Sequence, residues 1–135
     1  MSISNIRAAL ETALNAMTPP LATAWQNIPY TPIVGTPYQR VSLLTAEPNN
    51  QEFGASYTEA GYMQVDLCYP QTVGAGGVEQ RVELIRTTFK RGKTFLNGGI
   101  TTTISTTPEL APAYLDGDRF VRPVKIRFHT YISQQ

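Results

Sequence analysis

Residues 118–132, "DRFVRPVKIRFHTYI", constrain the chain more than any other stretch. Phe120, Val124, Ile126, Phe128 and Ile132 share one phase of a two-residue period, and Lys125, Arg127 and His129 share the other. A helix would scatter these side chains around its axis, whereas a strand keeps one face dry and the other wet. Pro123 cannot donate to a ladder, which predicts a sheet edge or a bulge at that point.

Shorter runs repeat the signal. In "QRVSLLT" (39–45) Val41 and Leu43 oppose Arg40 and Ser42, and in "YMQVDLCY" (62–69) Met63, Val65, Leu67 and Tyr69 alternate with Gln64, Asp66 and Cys68. "ITTTIST" (100–106) supplies a fourth strand. Between the first two lies "AEPNNQEFGASYTEAG", polar apart from Phe53 and Tyr57 and read as a long loop over 47–61. Connections of that length are usually functional or disordered.

Two segments have the other period. Ile6, Leu10, Ala13, Leu14 and Met17 line one stripe of 4–17, with Arg7 and Glu11 spaced as an i,i+4 pair on the opposite face. Thr18-Pro19-Pro20 ends that helix, and Pro29, Pro32, Gly35 and Pro37 mark a surface connector after Trp25. Val78, Val82, Ile85 and Phe89 recur at steps of four, three and four, and Gly92 stands where a C-cap belongs. The order predicts an α+β fold: a twisted, largely antiparallel sheet with two main α-helices packed on one face. At 135 residues one domain over 1–135 is expected.

Composition narrows the function. A net charge of +1 gives no overall excess that would draw nucleic acid or an anionic membrane. No run approaches the roughly 18–20 apolar residues a bilayer crossing needs, so no membrane partner is expected. The N-terminal "MSISNIRAAL" lacks a signal-peptide pattern, and the single Cys68 cannot form an internal disulfide, so a reducing compartment is the default.

The glycine-rich "VGAGG" before the second helix raises the question of phosphate binding. A Walker loop continues with lysine and a hydroxyl residue, but here Val78-Glu79 follow, and Glu79 also takes the place of the last glycine of a dinucleotide motif. A flexible turn is the simpler reading. His129 is the only histidine and reads as decoration of a sheet face, Cys68 as structural, and Asp116-Gly117-Asp118 as a turn. No catalytic, cofactor-binding or metal-binding residue is expected.

Charge order says more. From Val41 to Gln80 every charged residue is acidic (Glu47, Glu52, Glu59, Asp66, Glu79). Arg81 to Lys93 then carries five basic residues against Glu83, and Arg119, Arg122, Lys125 and Arg127 form a second basic group. These are either ordinary solvated faces or a head-to-tail interface in which an acidic loop of one copy meets a basic face of the next. On the second reading the subunit and tube interface candidates are Glu47, Glu52, Phe53, Tyr57, Glu59, Arg86, Lys90 and Arg91.

Taken in order, "AWQNIPYTP", a strand, an elongated loop, "GYMQVDLCYP", the glycine-rich turn, a helix ending "FKRG" and "LNGGITTTI" resemble the tail terminator, or tail completion, family of long-tailed bacteriophages. The likeness spans nearly the whole chain and rests on the order and spacing of its parts. It implies a structural virion protein that assembles as a homo-hexameric ring on the head-proximal end of the tail tube, stops tube growth and offers a surface for head attachment. Its implied partners are further copies of itself, the tail tube protein and a head-completion or neck protein, with DNA only passing through the lumen. Assembly would take place in the host cytoplasm. The loop over 47–61 would be a contact arm. A head-completion or connector ring of the neck, a small nucleotide-binding or hydrolytic domain on the glycine turn, and a nucleic-acid module using the basic groups remain as alternatives.

Overall fold

A computed structural model describes residues 2–18, 20–26, 28–33, 35–45, 57–71 and 75–132. Two helices, α1 (Ser2–Asn15) and α2 (Ala75–Thr88), accompany eight strands. The strands are β1 (Ala22–Ala24), β2 (Tyr38–Thr45), β3 (Tyr57–Pro70), β4 (Thr94–Asn97), β5 (Ile100–Ile104), β6 (Glu109–Leu110), β7 (Tyr114–Asp116) and β8 (Arg119–Ile132). They form one sheet in the order β1-β2-β3-β8-β5-β4, with β6 and β7 also paired to β8. The β1–β2 pair is parallel and the others are antiparallel. The expected α+β architecture is the observed one.

The period-2 faces become the two sides of this sheet. Met63, Val65 and Leu67 of β3, Val41 and Leu43 of β2, and Val124, Ile126 and Phe128 of β8 are buried on the inner side. Against them pack Ile6, Leu10 and Leu14 of α1 and Val78, Val82, Ile85 and Phe89 at α2, all in one cluster. The predicted Arg7–Glu11 pair forms at 3.2 Å on α1.

Several expectations change. The strand read from Tyr62 begins at Tyr57, so 57–61 belong to β3 and not to a loop; residues 47–56, the rest of that expected loop, lie outside the described residues. The alternation was invisible there because the inner-side positions are Glu59, opposite Thr130, and Gly61, opposite Phe128. Gly76 and Gly77 open α2 itself instead of linking to it, because glycine carries no side chain to register the helical period. Gly92 lies four residues past α2 in a turn to β4, where its N–H bonds to the Ile104 carbonyl at 2.8 Å and not to the helix. The chain also turns back at Asn97–Ile100, pairing β4 with β5 as a hairpin that four residues of "TFLN" were too short to announce.

Pro123 sits inside the sheet, between β3 and the β6–β7 side. Its carbonyl accepts the Ala111 N–H at 3.0 Å. In an antiparallel ladder the N–H and C=O of one residue face the same neighbour, so the missing donor points where β6 has ended at Leu110 and β7 has not yet begun. The proline marks a break in the partner strands and not an edge of β8.

Candidate assembly surface

The outer side of the sheet is half covered by the chain itself. The connector before β2 lies over it through Tyr30, whose ring is 5.3 Å from that of Tyr38, and Tyr38, Cys68 and Val121 form a small second core. Burial pushes the Cys68 thiol above its ordinary pKa, which keeps it protonated and suits the structural role expected of it.

Arg119 was read as part of an exposed basic group; it is instead 6% exposed. Its guanidinium donates to the Ile33 carbonyl at 2.6 Å and to the Thr36 carbonyl, and lies 5.1 Å from the centre of the Tyr38 ring. The physical reason is that irregular backbone needs donors for its carbonyls, and a delocalised guanidinium supplies several in one plane. Alternation along β8 places Arg119 on the outer side with Val121, Lys125 and Arg127, so the period alone carries no sign that the connector covers it. Beside it, Arg40 joins Asp66 at 3.7 Å, Asp116 at 3.6 Å and the Tyr114 hydroxyl at 3.2 Å, tying β2, β3 and β7 together.

Further along the same side the sheet is open. Tyr62 has Lys125 and Arg127 at 5.1 and 5.7 Å from its ring centre, and Arg127 donates to Glu109 at 2.6 Å. His129, exposed as expected of a sheet-face residue, has Nδ1 2.7 Å from the Ser105 hydroxyl. The Arg127 hydrogen bond, and then its charge, hold the Glu109 carboxyl below the usual carboxylate range. A depressed acid contributes fully above its unfolded pKa and loses that contribution as pH falls through the folded one. Carboxyl-detected NMR should therefore show Glu109 titrating below the ordinary glutamate value, and Arg127→Gln should raise its pKa.

The predicted interface residues separate. Glu47, Glu52 and Phe53 lie outside the described residues, and Tyr57 is the first residue of β3. Glu59, expected on an exposed acidic arm, is 4% exposed on the inner side of β3 opposite Thr130, because 57–61 form strand and not loop. Arg86 donates from Nε to the Pro108 carbonyl at 3.2 Å and lines a groove between α2 and β6–β8. Lys90 borders a different hollow, between α1 and α2, and Arg91 is exposed in the following turn. Arg81, counted with that basic block, is buried beside Tyr69. Arg122 faces the helices while Lys125 and Arg127 face outward, so the second basic group is divided between both sides of the sheet.

What this arrangement offers chemically is contact surface. Among the described residues, no group of three or more His, Cys, Asp or Glu side chains could hold a metal ion, and no helix is long and apolar enough to cross a membrane. Large apolar side chains do stand in solvent: Leu96 on β4 is 72% exposed, Leu115 on β7 66%, and Ile33 and Ile28 on the connector 64% and 60%. The model of the phage tail terminator protein family matches residues 5–128, from α1 into β8. The chain belongs to that family. A solved protein structure superposes on this phage tail terminator family member with a TM-score of 0.79 at 23% identity, covering 100% of this chain and 99% of the other, which shows a shared fold. No match was found among curated proteins. Family membership makes the chain a structural component of a phage tail, and implies contact with the tail tube.

Proposed function

We propose that the chain forms a six-fold ring on the head-proximal end of the finished tail tube, stops further tube polymerisation and presents the surface to which the head attaches. The observation that carries this is the family match across both helices and nearly the whole sheet. The exposed Leu96, Leu115, Ile33 and Ile28 support it, because they are spread over β4, β7 and the connector before β2. A subunit with neighbours on two flanks, a tube below and a neck protein above needs several apolar contact points of this kind. The role is structural and calls for no catalysis; DNA meets the ring only as the genome passing through its lumen.

Tail length is the decisive measurement. Phage particles assembled without this protein should carry tails of irregular, extended length that fail to join heads, and supplying the purified protein should restore uniform tails. Tails of normal length that merely lack heads would place the protein in the neck as a connector ring and overturn the terminator reading.

A further inference from the structure

The ion pairs inside the subunit leave a pattern of charges over. Arg7 takes up Glu11, Arg40 takes up Asp66 and Asp116, Arg119 meets Asp118, and Arg127 holds Glu109. Among the described residues only two exposed carboxylates have no cation within ion-pair distance, Glu79 and Glu83. They stand four apart on α2 and so share one face of it. Both line the groove of about 690 Å³ whose apolar floor is Val78, Val82, Leu110 and Phe120.

The complementary remainder lies past the other end of α2. Lys90, Arg91 and Lys93 are exposed within four residues, and none has a carboxylate in reach among the described residues. Backbone hydrogen bonds hold their turn against β5. Lys93 N–H bonds to the Lys90 carbonyl at 3.0 Å, Gly92 N–H to Ile104 at 2.8 Å, and Ile104 N–H back to Lys93 at 2.9 Å. From Glu83 and Glu79 to this turn the helix rises roughly 10–16 Å, beyond the screening length of about 8 Å at physiological salt. The two groups therefore cannot neutralise each other within one chain.

We infer that the α2 groove receives the Lys90–Lys93 turn of a second copy of this chain, with Glu79 and Glu83 meeting the cations of that turn over the apolar floor. The two cations of the groove do not block this. Arg122 belongs to its β8 wall and Arg86 is tied to the Pro108 carbonyl, whereas Glu79 and Glu83 form the exposed helical rim. Groove and turn are different patches, so the contact is head-to-tail, the kind that closes into rings. The inference rests on the ring reading above and replaces, for the basic partner, the acidic loop expected from sequence order.

Two experiments on the full chain test it. In the first, Glu79→Lys/Glu83→Lys and Lys90→Glu/Arg91→Glu/Lys93→Glu should each lower the ring fraction in native mass spectrometry at least tenfold, with unchanged circular dichroism. The five changes combined should bring it back to within about threefold of the parent. Rings unaffected by the Glu79/Glu83 reversal, or no recovery in the combined chain, overturn the contact. In the second, Glu83→Cys/Arg91→Cys should give an oxidised ladder of covalent oligomers. Cys68 is buried, and the two new positions lie too far apart along one chain for the Cα spacing of a disulfide. Rings without a ladder also overturn the contact. If the parent forms no rings either free or on tubes, the ring reading fails first and this contact with it.

Discussion

Replacing Phe89 by alanine should remove about 3–5 kcal/mol of folding stability, the usual cost of emptying a large aromatic site in a core. Phe89 is fully buried one residue past α2, with its N–H still bonded to the Ile85 carbonyl at 2.8 Å. Its ring is 5.5 Å from that of Phe95 on β4. It belongs to the same buried cluster as Leu14 and Ile85, so its loss opens the layer where both helices and the β4–β5 hairpin contribute to the core. Denaturant titration should show a lower midpoint with little change in slope. A variant as stable as the parent that has lost only assembly would mean that the stripe serves a partner and not the core.

Gly61→Ala should be the most costly single-methyl change on the sheet, at about 1–3 kcal/mol for an overpacked site. A Cβ at this position would fall on the Leu44 carbonyl oxygen and lie 2.8 Å from the Thr45 Cα, both backbone atoms of the neighbouring strand. Backbone in a ladder cannot swing aside as a side chain can, so β2 and β3 must part near their Thr45–Gly61 pair. Hydrogen exchange should rise at Leu44, Thr45 and Tyr62 before it rises at Val41 or Val65. Unchanged stability, together with unchanged exchange, would show that the strands do not approach so closely.

The parts legible in the sequence are those where side chains themselves keep time. Met63, Val65 and Leu67, or Val82, Ile85 and Phe89, carry the period of their element because one face of it is dry. Where the inner position is Gly61 or the acid Glu59, the same strand is silent. β4, β6 and β7 have four, two and three residues, too few for a period to emerge. The assembly candidates were legible as charge order but not as pairing. Arg119 and Arg40 are occupied inside the subunit by carbonyls and carboxylates that lie up to 86 residues away along the chain. Which charges remain over is a property of the fold, and Glu79 and Glu83 emerge only after those partners are subtracted.

The central place of β8 bears on how the chain is made. Every residue of β3 waits for a partner 49 to 75 positions later, from Pro70 with Arg119 to Tyr57 with Ile132. At ribosomal rates of about 5–20 residues per second that wait lasts roughly 2–15 s. In the interval β2 can pair with β3 and β4 with β5, but the open edge of β3 has no strand to meet, the β4–β5 hairpin has no link to the rest of the sheet, and β6 and β7 have nothing on which to align. A ribosome that stalls before this strand releases a chain with a bare edge, a substrate for chaperones and proteases. A chain cut before β8 should therefore fail to give the folded subunit, because β3, β5, β6 and β7 all pair with that strand.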